Sequence, residues 1–206
     1  MSCTRRGLFR GTVAGGVAAL GLVSAADAAT DGTGLLHGAR TDAHVLLRLL
    51  EFEQLQGFAY EHVLHTAALQ SKARSMVTQF LGQERRHAEL LASELATRHV
   101  GLPAPLSNVA EADRELAAVG VNGRLTGVER EAAAVRMLIG IETVAEEIYY
   151  AAIETLSSAG PVGLAADIMA CEAQHWTGLS AVLHYGNPGL DTPREFAPSV
   201  GQLTNP

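Results

Sequence analysis

With 206 residues, the chain is long enough to bury one full core. Aromatic residues make up only 5% of it while alanine, leucine and valine abound, which suits helix packing and counts against a β-sandwich. The formal charge is −7 and no basic stripe appears beyond the first residues, so nucleic-acid binding is excluded as a function class.

The N-terminus reads as an address. Residues 4–10 are TRRGLFR, followed by the mild apolar run GTVAGGVAALGLVSA and then Ala26-Asp27-Ala28, a small-x-small cleavage pattern. The run is short and rich in Gly and Ala, so it predicts no permanent membrane span and no stable membrane anchor. No cysteine follows it, which excludes a lipoprotein anchor there. The Arg5-Arg6 pair with Leu8-Phe9 resembles a twin-arginine export signal. That resemblance implies cleavage before Ala29, the twin-arginine translocase as a transient partner, and a periplasmic or extracellular destination. Residues 29–41 follow as a linker. Cleavage removes Cys3 and leaves Cys171 alone, so no intramolecular disulfide is expected.

From Asp42 to about Leu69, Val45, Leu46, Leu49, Phe52, Leu55, Phe58 and Val63 recur at helical spacing, with Thr41 or Asp42 as the cap. A second helix runs from about Ser71 to Arg98, and Gly101-Leu-Pro-Ala-Pro105 stops it. Residues 106–126 are looser, with one short helix predicted near Val109–Val119. A third long helix spans Thr126 to Ser158. Ala159-Gly-Pro161 reads as a tight turn, and residues 162–185 form the fourth helix, ended by Gly186-Asn-Pro188. Residues 186–206 read as an extended tail. Short turns make each helix pair antiparallel, and a long crossover joins the pairs. The predicted fold is all-α: an up-down four-helix bundle over residues 42–185, with one long crossover between the second and third long helices.

The chemistry lies in a repeated pattern. Glu84 and His87 form Glu-x-x-His in the second helix, and Glu172 and His175 do so in the fourth. Residues three apart share a helix face, so each pair can aim both side chains at one point. The first and third helices each carry a Glu followed seven positions later by a Tyr: Glu53 with Tyr60, and Glu142 with Tyr149. Two helical turns place each Tyr on the stripe of its Glu. Glu53 and Glu84 are 31 positions apart, and Glu142 and Glu172 are 30 apart. The same two-helix unit therefore occurs twice. Related by a local two-fold, the units bring four Glu and two His to the bundle centre, a ligand set for two metal ions. Four carboxylates balance two divalent cations, whereas four buried Glu without cations would repel one another. Oxygen and imidazole donors without thiolate favour Fe or Mn.

Several neighbours fall outside this set. Glu51 is followed seven positions later by Phe58, which breaks the repeat. Glu146 reads as a surface or supporting acid, with an extra-ligand role as the alternative. Glu61, His62 and His65 read as solvated. Cys171 adjoins Glu172 but faces about 100° away, which predicts an inert thiol.

The combined set resembles the ferritin-like superfamily over roughly residues 42–185, nearest in ligand pattern to bacterioferritin and the rubrerythrin-type di-iron proteins. The resemblance implies that Glu84 and Glu172 bridge the metals. It implies that Glu53 with His87 completes one metal site and Glu142 with His175 the other. Tyr60 takes a position where the family often has a Tyr near the metals, and Tyr149 is its repeat partner; both are candidate catalytic residues. No Cys-x-x-Cys occurs, so a rubredoxin-like electron-input domain is missing, and no Met stands out as a haem ligand. The implied activity is that of a dimetal-carboxylate oxidoreductase acting on O2 or peroxide, with ferroxidase turnover as one form. The alternatives are an exported stress- or desiccation-type bundle with a structural metal, and an iron-storage cage subunit. A homo-oligomer is compatible with either.

Overall fold

The computed structural model describes Leu36 and residues 41–185. The expected export signal, most of the 29–41 linker and the tail lie outside the described residues. Over residues 41–185, five α-helices and one 3-10 turn follow in order: α1 (Asp42–His65), α2 (Ser71–Ala96), α3 (Val109–Ala118), the 3-10 turn Leu125–Gly127, α4 (Glu131–Thr155) and α5 (Ala159–Leu183). No strand occurs among the described residues, and none of their helices is long and apolar enough to cross a membrane.

Local chemistry sets the ends. The Thr41 side chain accepts from the His44 amide at 3.4 Å and caps α1, with Asp42 in the first turn. The chain leaves α2 through His99, which takes a φ of 55°, while the Val100 amide reaches back to the Leu95 carbonyl. Asn108 caps α3 by accepting from the Glu111 amide at 2.9 Å.

Several boundaries differ from the sequence expectation: α1 ends at His65, short of Leu69, α4 ends at Thr155, short of Ser158, and two helix starts shift. The third long helix starts at Glu131, because Leu125–Gly127 is drawn into the 3-10 turn. Buried Asp113 of α3 accepts from the Leu125 amide and the Thr126 hydroxyl, and this tertiary tie outweighs the helical pattern. The expected turn at Ala159-Gly-Pro161 is instead the first turn of α5, where proline loses no intrahelical bond.

Helix α1 packs on α2 and α4 on α5; the pairs meet through α1–α4 and α2–α5. The segment between α2 and α4 is the crossover, and its short helix α3 packs on α1. The core fills with Leu, Val, Ile and Ala from all four long helices. Asp42 ties its two ends of chain together: its Oδ1 accepts from the Ser157 amide at 2.8 Å and its Oδ2 from the Ser158 amide at 3.0 Å. Close approach between α2 and α5 depends on Gly178, where a Cβ would come within 3.0 Å of the Phe80 ring. Phe80 in turn lies against the His175 imidazole, with ring centroids 4.2 Å apart.

Candidate metal centre

Each long helix turns one polar stripe inward at mid-height. Glu53, Gln56 and Tyr60 come from α1, Glu84 and His87 from α2, Glu142 and Tyr149 from α4, and Glu172 and His175 from α5. All are buried, with Glu84, Glu142 and Glu172 at 0% exposure. Burying four carboxylates without compensation would be prohibitive, so their surroundings decide what the cluster is for.

The six expected ligands converge. Glu53, Glu84, His87 and Glu172 each offer an atom within 4.8 Å of the others, as do Glu84, Glu142, Glu172 and His175. Glu84 and Glu172 belong to both groups. Both imidazoles face inward through Nδ1. His87 Nδ1 lies 2.9 Å from Glu172 Oε1 and 3.6 Å from Glu53 Oε2 and Glu84 Oε2. His175 Nδ1 lies 2.8 Å from Glu84 Oε1, 3.2 Å from Glu172 Oε2 and 3.7 Å from Glu142 Oε2.

The tyrosines cross between the units. Tyr60 on α1 donates to Glu142 Oε1 on α4, and Tyr149 on α4 donates to Glu53 Oε1 on α1. The two phenols are thus related by the same two-fold as the glutamates. Each occupies one carboxylate oxygen and leaves the other turned toward an imidazole. Gln56, one turn after Glu53, breaks the symmetry. Its Nε2 points at Glu84 Oε2 and Glu172 Oε2, both at 3.3 Å, and at Glu142 Oε2 at 3.5 Å. The equivalent place on α4 is Ala145.

Protonation follows from burial and proximity. Burial pushes the Glu53 and Glu142 carboxyls well above the usual range, and the nearby Glu172 charge adds to both. Burial acts on Glu172 in the same direction, but the neighbouring His175 and His87 imidazoles outweigh it and bring the carboxyl down to about 2. Burial opposes charge on His87 and His175, yet contacts with Cys171 and the carboxylates raise both. Burial, then the charges of Glu142 and Glu53, hold the Tyr60 and Tyr149 phenols well above their usual value, so both remain donors.

Around this centre, the structure sorts the remaining candidates. Glu51 stays out, paired with Arg48 at 2.7 Å. Glu146 belongs to neither ligand group; half-buried, it is raised to about 7 by burial and then by the Glu172 and Glu147 charges. Glu61 is exposed and pairs with Arg85 at 3.2 Å, and His65 is exposed, but His62 is partly buried with Nε2 at 3.2 Å from the Leu125 carbonyl. Cys171 is a correction. It is half-buried and not isolated from the cluster: its Sγ lies 3.5 Å from His175 Nε2, on the imidazole edge turned away from the carboxylates, and hydrogen bonds to His175 and His87 lower the thiol to about 7. Its relation to His175, four positions on, placed it there, not its angle from Glu172. Gln83 was also missed; its Oε1 lies 2.8 Å from His175 Nε2. Gln56 is legible in the sequence as a core polar residue three positions from Glu53.

The donor set fits metal ions. Glu53 Oε2, Gln56 Oε1, Glu84 Oε1, His87 Nδ1 and Glu172 Oε1 are buried without a hydrogen-bond partner, although charged neighbours lie at ion-pair distance. Atoms that close but not aligned on one another share a focus between them. An Nε2–H bond from His175 to Gln83 would fix the tautomer that presents Nδ1 inward, as metal-binding histidines require.

No curated protein and no solved structure gives a significant match to the chain. A family profile described as a ferritin-like domain matches residues 41–184, and the chain belongs to that ferritin-like family.

Proposed function

We propose that this protein is an exported ferritin-like oxidoreductase with a dinuclear Fe or Mn centre, nearest in kind to the bacterioferritin and rubrerythrin-type proteins, acting on O2 or peroxide. The observation that carries this reading is the overlap of two buried ligand groups in Glu84 and Glu172. A two-metal carboxylate site needs two shared bridges, with a separate Glu and His for each metal. Glu53 with His87 and Glu142 with His175 fill those places.

When bound, such a metal pair supplies one-electron redox chemistry and polarises an oxygen ligand. The chain's own residues hold and orient it. Tyr60 and Tyr149 fix Oε1 of Glu142 and Glu53, so that Oε2 of each faces the centre. They are positioning residues here, with their protons held at the phenol oxygens. Gln56 adds an amide donor among the remaining carboxylate oxygens, and the four-helix core keeps bulk water out.

Oxygen uptake after addition of Fe(II) tests the enzyme reading. The expected result is saturable O2 consumption above the buffer rate, lost in Glu172→Ala. Fe-loaded protein that consumes no O2 would leave a metal-bound structural bundle in place of an enzyme. The export reading rests on Arg5 and Arg6. Twin-arginine export carries folded proteins, which lets metal be chosen before Cu and Zn can compete. Replacing both arginines with lysine should strand a metallated precursor in the cytoplasm; undiminished export would remove this reading.

A further inference from the structure

The two halves of the site repeat each other, but two equivalent places carry different residues. Three positions after Glu53 stands Gln56, whereas three after Glu142 stands Ala145. One position before Glu84 stands Gln83, whereas one before Glu172 stands Cys171. Both amides belong to the first hairpin, and both reach across to the second.

There they serve the same metal position, the one completed by Glu142 and His175. Gln56 Nε2 lies 3.3 Å from Glu84 Oε2 and Glu172 Oε2 and 3.5 Å from Glu142 Oε2, and these are the three carboxylates of the ligand group that contains His175. Hydrogen bonds of this kind hold ligand carboxylates in place before an ion arrives. Gln56 Oε1 is also buried and without a partner, and it is a hard oxygen donor of the class that Fe and Mn take. Gln83 Oε1 lies 2.8 Å from His175 Nε2. It accepts the Nε2 proton, which leaves the inward Nδ1 lone pair for metal.

The position completed by Glu53 and His87 has less support. Ala145 offers no polar side-chain atom where Gln56 stands in the other half. Cys171, the counterpart of Gln83, offers only a weakly accepting sulfur, and that sulfur also lies 3.5 Å from His175 Nε2. It is therefore not committed to His87.

We propose that the two metal positions are unequal: the Glu142–His175 position fills first and holds its ion more tightly, and the Glu53–His87 position is the exchangeable one. Gln56 and Gln83 are the positioning residues that make the difference. This deepens the two-metal reading above and rests on it.

The test is anaerobic titration of the purified full chain with Mn(II), following free Mn(II) by its electron paramagnetic resonance signal. Two binding steps are expected in the wild type, with dissociation constants roughly tenfold or more apart. Glu142→Ala should abolish the tighter step and Glu53→Ala the weaker. Gln83 is only half-buried, so Gln83→Ala leaves the core intact. It should weaken the tighter step by roughly tenfold or more, with the weaker step and the apo melting temperature unchanged. Gln83→Glu keeps an accepting oxygen at that place and should retain the tighter step. Gln56→Leu should weaken the same step as Gln83→Ala. Two ions bound with one affinity, loss of the weaker step in Glu142→Ala, or equal weakening of both steps in Gln83→Ala would each overturn the inequality and leave the two-metal reading standing. A wild type that binds one ion or none instead fails that reading, and the inequality with it.

Discussion

Tyr60 and Tyr149 each hold the glutamate of the opposite helix, so the carboxylates of α1 and α4 are oriented from across the bundle. Partners of this kind tune metal affinity through ligand orientation, and their loss costs about 10–100-fold. Tyr60→Phe and Tyr149→Phe should therefore weaken metal binding by comparable factors, read by chelator competition, with little change in helix content. An effect confined to Tyr60 would mean that the two-fold does not extend to the phenols. The sequence showed the Glu-Tyr stripes because a seven-residue spacing returns to one helix face. It could not show that each phenol serves the other unit's carboxylate, since that depends on how α1 meets α4. Cys171 and Gln83 were hidden for a related reason: both are defined by their distance to His175, one along the helix and one across from α2.

Among the elements, the long helices were legible because their apolar period is strong and their breakers are Gly and Pro. Their exact starts were not. Asp113 gathers Leu125 and Thr126 into the crossover and delays α4, a long-range hydrogen bond that no local window contains. Asp42 does similar work at the opposite junction, joining the start of α1 to the turn between α4 and α5. Hydrogen bonds from Ser158 and Ser157 lower its carboxyl from 3.8 to about 2. Because the folded value lies below the unfolded one, ionised Asp42 adds stability at neutral pH, and that contribution is lost as pH falls from about 4 through about 2. The melting-temperature gap between wild type and Asp42→Ala should be steady above this window and shrink across it. A gap that stays constant to the acid end would mean that the ionised carboxylate contributes nothing.

At the scale of the molecule, two copies of one helical hairpin enclose six buried Glu and His side chains that could hold metal, and the crossover lets both hairpins present their Glu-x-x-His helices to the same centre. The topology was readable from helix lengths and connections, and the buried Glu and His cluster from two matched spacings. The most direct measurement of the central claim is metal per chain, by elemental analysis after reconstitution with Fe(II) or Mn(II). Two ions per chain are expected in the wild type and in Glu51→Ala, with most of the metal lost in both Glu84→Ala and Glu172→Ala because each removes a shared ligand. One ion or none in the wild type, or a loss in Glu51→Ala equal to that in the other two, would contradict it.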